Sequence, residues 1–204
     1  LKKIARDIVY HFPRRGYKGR GMSVSIDKFT TVKMYDLVQH YWKEEITNLQ
    51  KKRKKSSSEE EKKEIDGIIK YMRWVDMAVV ISYDNTDEEK RAFEEKGLDI
   101  SPHIRKMKEV DDNGHDLEFR FQEIPSDPFQ LVFVCAMWLT GFDSETLSDM
   151  YLDKPMMGHT LMQTIARVNR VSVGKKCGRI IDYYGVFRNL KKALADYATR
   201  YEEI

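Results

Sequence analysis

Residues 130–138, QLVFVCAMW, carry no charged side chain. A run of that length and apolarity suits a strand buried on both faces, the kind found in parallel sheets covered by helices. Further strand-length runs are DMAVVISY at 76–83, which reads as a central strand, LSDMYLD at 147–153 and GRIIDYY at 178–184. MSVSI at 22–26 alternates apolar and polar residues, the mark of a short strand. Between these runs the apolar spacing is helical. It holds through Ile4, Ile8, Val9 and Phe12, and again through Val32, Tyr35, Val38, Trp42, Ile46 and Leu49. A short helix is expected over 87–97, ending at Gly97, and another over the closing VFRNLKKALADYATRYEEI. Residues 98–129 read as polar and irregular. Apolar runs alternating with helices predict a parallel α/β sheet.

A chain of 204 residues can bury one sizeable core, with room for an inserted subdomain. Charged residues make up 34%, above the usual quarter or so, so some segments must be strongly solvated. The clearest is KKRKKSSSEEEKKE at 51–64, a basic block, three serines and an acidic block. It reads as a solvated turn between helices, because the acidic run cancels much of the field a DNA-tracking patch would need. Apolar spacing resumes at Ile65, Ile68, Ile69, Met72 and Trp74, so residues 44–73 are expected to form an inserted helical hairpin. A net charge of +3 is too small to imply nucleic-acid binding by itself.

Cys135 and Cys177 lack metal-ligand spacing, and a reducing, cytoplasmic setting is the simplest expectation. No apolar run approaches the roughly 18 residues of a membrane span, and no signal peptide is visible. The first segment, LKKIARDIVYHF, reads as the middle of a helix, so a fragment of a longer polypeptide is expected. No G-x-x-x-x-G-K-[ST] occurs. VGKK at 173–176 lacks the Ser or Thr, and Asp84 at the end of AVVISYD is a weak metal candidate without a phosphate loop. The E-x-K triplets at Glu88–Lys90 and Glu94–Lys96 are expected by chance in so charged a chain. The histidines are scattered, and no metal site is expected.

Two segments carry candidate chemistry. In MQTIARVNR, residues 162–170, a helix would bring Gln163, Arg167 and Arg170 within about 60° of one another. Leu161, Ile165 and Val168 would lie opposite as a buried stripe. Thr160 and Gln163 have the spacing of a capping box, which would start the helix near Leu161 and give Gln163 a structural role. The arginines suit a polyanion, because the planar guanidinium gives bidentate hydrogen bonds and keeps its charge. A solvated helix face is the alternative. In LTGFD, residues 139–143, Thr140 and Gly141 would sit at the carboxyl end of a strand, where parallel sheets bind ligands. Asp143 could accept from a ribose hydroxyl or an arginine. An ordinary turn is the alternative.

VCAMWLTGFDSETLSDMYLDKPMMGHTLMQTIARVNRV and the following GRIIDYYGVFRNLKKALADY resemble the second RecA-like motor lobe of the restriction (HsdR) subunit of type I restriction-modification enzymes. These are superfamily-two helicase-like translocases. The likeness is dense over about 130–197, thinner before it, and does not extend to 44–73. TGFD looks like helicase motif V. QTIARVNR looks like motif VI, with Ala166 where many helicases have Gly and where this family usually has Ala. SVSI stands in the place of motif IV.

The resemblance implies a RecA-like (P-loop NTPase-type) α/β lobe and an ATP site shared with an upstream lobe that binds most of the ATP and Mg²⁺. Arg167 and Arg170 would reach the γ-phosphate, with Arg170 the arginine finger. Gln163 would position them, Asp143 would lie near the ribose or the arginines, and Gly141 would couple to the nucleotide. Thr140 would touch the backbone of double-stranded DNA. Methyltransferase and specificity subunits are the implied partners. The parent would be a site-specific deoxyribonuclease with DNA-dependent ATPase activity, and this chain alone would be inactive. A non-enzymatic DNA-binding or subunit-docking module is the rival reading.

Overall fold

Strands β1 (Arg20–Ser25), β2 (Asp76–Val80), β3 (Phe129–Val134), β4 (Leu147–Asp153) and β5 (Arg179–Asp182) form one sheet in a computed structural model. The model describes residues 1–84, 86–139, 142–156, 158–188 and 191. The strand order is β2-β3-β1-β4-β5, and every neighbouring pair is parallel. Parallel neighbours need crossover connections, and helices supply them.

The side-chain alternation of β3 divides the interior. Leu131 and Phe133 face one core with Ile8, Phe12, Val38, Met72 and Val79. Val132 and Val134 face the other with Met22, Phe121, Met150, Leu161 and Val168. Helices α1 (Lys2–His11), α2 (Lys28–Lys55) and α3 (Glu59–Trp74) cover the first face. Helices α6 (Leu117–Glu123) and α7 (Gly158–Val168) cover the second. The result is the three-layer α/β/α arrangement of a RecA-like lobe.

DMAVVISY was expected at the centre of the sheet and lies at its edge. Its run is nonetheless apolar on both sides, because Met77 and Val79 enter one core and Ala78 and Val80 the other. Helix α5 (Ser101–Met107) shields this end, where the Ile81 amide donates to Met107 Sδ at 3.5 Å. A covered edge strand therefore has the composition of a central one.

The stretch read as irregular, 98–129, contains both α5 and α6. Pro102 sits in the first turn of α5, and the Asp116 carboxylate caps α6 by accepting from the Phe119 amide at 2.8 Å. Leu117 and Phe121, one turn apart, anchor α6 in the core. Helix α4 (Asp87–Glu94) is capped by Thr86, and Gly97 follows it with φ of 69°, a left-handed stop that favours glycine.

Helix α2 passes through residue 44 unbroken and forms a hairpin with α3. Ser58 caps α3 by accepting from the Glu61 amide at 3.2 Å. The root of the hairpin is held by Leu49, Ile65, Ile69 and the Trp42 indole, which donates to the Met72 carbonyl at 2.9 Å. Past Leu49 the contacts are ionic, Lys52 with Glu61 and Arg53 with Asp66. A helical turn opens at Val186, and the rest of the expected closing helix lies, apart from Arg188 and Lys191, outside the described residues.

Candidate functional site

Helix α7 packs on the sheet through Leu161, Thr164 and Val168, with Ile165 partly buried beside them. Gln163 and Arg167 are half-buried, and Arg170, just past the helix, is exposed. The expected amphipathic division is present, but the start differs. The helix begins at Gly158, so Thr160 lies inside its first turn and the Thr160–Gln163 capping box does not form the boundary.

Because α7 follows β4, it runs back toward the edge where the parallel strands begin. Its end meets the start of β5, where the Gly178 amide donates to Asn169 Oδ1 at 3.5 Å. The crossover from β3 to β4 returns the chain to the same edge, and Asp143 lies near its end, just before Leu147 opens β4. There the Asp143 carboxylate forms an ion pair with the Arg170 guanidinium, each side chain 49% exposed. Asp143 thus sits at the strand-entry edge, not at the carboxyl ends where LTGFD was expected. The reason is topological: a parallel crossover carries its last residues to the next strand's beginning. Thr140 and Gly141 lie outside the described residues.

A cleft of about 520 Å³ opens beside this pair, lined by Tyr17, Gln122, Asp143, Thr146 and Ser172 among others. On α7 the Arg167 Nε is buried without a hydrogen-bond partner among the described residues. On the approach to Asp143, Trp138 adopts φ of 64°, a left-handed conformation that bulky residues rarely enter. Such strain costs on the order of 1–3 kcal/mol and persists only where packing holds it. The Trp138 ring stacks on Phe142, 4.6 Å between centroids and 9° between planes, and both contact Phe121 on α6. Phe142 precedes Asp143, so this aromatic cluster fixes the backbone from which the carboxylate projects. At the carboxyl end of β1 the fully buried Ser25 hydroxyl, in the place assigned to motif IV, has no partner among the described residues.

Sequence reasoning missed a buried charge network at the strand-entry edge. Asp149 on β4 is fully buried and accepts from Arg15 Nη1 at 2.5 Å and from Arg179 Nε at 2.8 Å. The Ser148 hydroxyl donates to the same carboxylate at 2.5 Å. Arg15 also donates to the Phe12 and Gly19 carbonyls, both at 2.7 Å. Burial, then the neighbouring Arg15, lowers the Lys18 pKa to about 8. Burial likewise pulls down Lys175, whose ammonium donates to the Leu147 carbonyl at 2.7 Å and ties the 172–175 turn to the sheet. A carboxylate in the middle of a buried strand was the available signal, since a buried carboxylate requires a partner. Among the described residues no cluster of His, Cys, Asp and Glu could hold a metal ion.

Gly178 fixes the end of α7 by close approach. A Cβ there would lie 2.0 Å from the Val168 carbonyl oxygen. Gly178→Ala is expected to destabilise the fold by about 1–3 kcal/mol through overpacking, measured by urea denaturation. It should also displace Arg170, which follows that carbonyl.

An all-parallel sheet between two helix layers, with an arginine-bearing helix turned to its strand-entry edge, defines a RecA-like α/β lobe. The family profile of type I restriction enzyme subunit R domain 3 matches residues 24–185. The type I restriction enzyme MjaIXP endonuclease subunit of Methanocaldococcus jannaschii is 33% identical over 201 residues, covering 98% of this chain and 15% of that protein. The MjaVIIP endonuclease subunit of the same organism is 30% identical over all of this chain and 17% of its own length. The HindI endonuclease subunit of Haemophilus influenzae is 52% identical over 84 residues, 40% of this chain and 8% of that protein. The chain belongs to the type I restriction enzyme endonuclease (R) subunit family. It spans about a sixth of the length of the relatives it matches along its whole length.

Proposed function

We propose that this chain is the second RecA-like lobe of an ATP-driven DNA translocase, the restriction subunit of a type I restriction-modification system. In this reading an upstream lobe of the longer polypeptide binds most of the ATP and its Mg²⁺. This lobe supplies Arg167 and Arg170 to the γ-phosphate, with Gln163 positioning them and Asp143 orienting Arg170. Gly141 couples to the nucleotide, and Thr140 contacts the duplex. The 44–73 hairpin is an insertion on the lobe. Methyltransferase and specificity subunits complete the assembly in the cytoplasm, and the isolated chain turns over no ATP. No helix among the described residues is long and apolar enough to cross a membrane.

The observation that carries the reading is the Asp143–Arg170 ion pair, which joins the TGFD and QTIARVNR segments at one exposed edge. Guanidiniums held at an interface neutralise charge that develops on a transferring phosphoryl group.

Asp143→Asn in the complete polypeptide tests the arrangement. A half-exposed ion pair contributes about 0–1 kcal/mol to stability, so Tm should barely move. DNA-stimulated ATP hydrolysis should nevertheless fall, because Arg170 loses the carboxylate that orients it. Unchanged hydrolysis would return the pair to an ordinary surface contact and favour a DNA-binding or docking module.

A further inference from the structure

Two glycine-rich basic loops, far apart in sequence, face each other at the strand-entry edge. One is the 16–19 loop leading into β1, part of PRRGYKGRG; the other is the 174–178 loop leading into β5, part of VGKKCGR. Because β4 lies between β1 and β5 in the sheet, both loops border its first residues. A cleft of about 440 Å³ separates them, lined by Gly16, Tyr17, Ser148, Lys176, Cys177 and Arg179 among others. It lies across the Tyr17 ring and the 172–175 turn from the Asp143–Arg170 cleft, both clefts sharing Tyr17 as a wall. The turn is tied down at this point: a Cβ on Gly174, at φ of 78°, would come within 3.7 Å of the Tyr17 ring, and the Lys175 ammonium donates to the Leu147 carbonyl.

The electrostatics of this cleft are unbalanced. One buried carboxylate, Asp149, serves two guanidiniums, those of Arg15 and Arg179. Arg15 is fully enclosed, whereas the Arg179 side chain is 42% exposed. Asp149 engages Arg179 through Nε, and no described bond occupies its two terminal nitrogens. A buried carboxylate therefore orients an arginine fork toward the cleft before any ligand arrives. Exposed Lys176 adds a second cation on the same wall. Lys18, whose pKa is lowered first by burial and then by Arg15, Arg14 and Arg179, stands near the same arginines. The rest of the lining includes the Tyr17 ring and the backbone of Gly16 and Gly174, which allow a flat ring to approach closely.

We propose that this cleft binds a nucleotide phosphate, with the Arg179 fork and Lys176 on the phosphate and the Tyr17 ring against the base. A guanidinium fork matches phosphate oxygens in pairs, and base stacking on an aromatic ring tolerates any sequence. Two sources share this chemistry, a strand of nucleic acid and a free nucleotide. The site is separate from Arg167 and Arg170 and does not depend on their reading as arginine fingers.

Cys177 provides a local readout, because it is exposed in the cleft wall while Cys135 is buried. In the complete protein, the rate of Cys177 modification by N-ethylmaleimide is measured by peptide mass spectrometry. It is followed with no addition, with a short single-stranded oligonucleotide, and with AMP. The oligonucleotide is expected to slow labelling of Cys177 several-fold, and rising salt should abolish the effect. Lys176→Gln, at an exposed position, should relieve the protection and lower the salt slope of oligonucleotide binding by about 0.7. Arg179→Gln should relieve it further, with circular dichroism confirming the fold. Protection by AMP alone, lost in both variants, would also support the site and name the free nucleotide as its source. Labelling unaffected by either ligand, or protection that persists in both variants, would overturn the proposal.

Discussion

Arg170→Ala in the complete polypeptide is expected to lower DNA-stimulated ATP hydrolysis by about 10³-fold or more, the usual effect of removing an arginine finger. The same change should leave the fold intact. Arg170 is half exposed, its partner Asp143 is equally exposed, and such pairs contribute about 0–1 kcal/mol. Activity and stability are therefore predicted to separate, with near-native circular dichroism and Tm beside a collapse in turnover. Arg170→Lys should not rescue turnover, because a lysine keeps the charge but has no planar fork to span two phosphate oxygens. Hydrolysis at the wild-type rate in a folded Arg170→Ala protein would make the outward face of α7 a solvated surface.

Asp149→Ala is expected to produce the largest loss of stability, about 3–5 kcal/mol, the cost of leaving a buried charge without its partner. Arg15 sits with no exposed side-chain surface against this carboxylate. Its other hydrogen-bond acceptors are neutral oxygens, among them the Phe12 and Gly19 carbonyls and the Tyr71 hydroxyl at 3.1 Å. They satisfy its hydrogen bonds but not its charge. Urea denaturation should register the difference, and Tm should fall by roughly 6–20 °C for a domain of this size. Arg179→Ala removes the exposed arm of the same network and should cost about 1 kcal/mol or less. Equal losses from the two substitutions would mean that Asp149 is not the hub of the network.

The layered fold was legible because most strands are marked by strand-length runs, β1 by alternation, and α7 by a three-and-four spacing that buries Leu161 and Val168. Legibility failed where tertiary cover changes what composition means. The edge position of β2 was hidden because α5 covers it, and α5 and α6 were hidden because two turns of helix leave little periodicity to read. In α6 the readable signals were the Asp116 cap and the Leu117–Phe121 pair, and they sat within a polar background. The start of α7 was misplaced because Thr160 and Gln163 have capping spacing, yet backbone geometry continues the helix to Gly158. For the candidate site, the residue types were readable one by one. The meeting of Asp143 with Arg170 could not be read from spacing, since it depends on how two crossovers return to one edge of the sheet; the family resemblance alone implied that Asp143 lies near the arginines. The Arg15–Asp149–Arg179 network was present only as an acid in a strand without a visible partner.

The α2–α3 hairpin is held in two different ways along its length. Helix α2, with 28 residues, is a rod of about 42 Å. Its root is clamped by Trp42, Leu49, Ile65 and Met72, contacts indifferent to dissolved ions. Its tip is joined by exposed polar contacts, among them the ion pairs Lys52–Glu61 and Arg53–Asp66, whose attraction weakens as salt rises. The outermost turns are thus an outrigger whose stiffness is set by the surrounding solution, while its mounting is set by the core. Raising the ionic strength should loosen the tip and leave the platform that carries Arg170 unmoved.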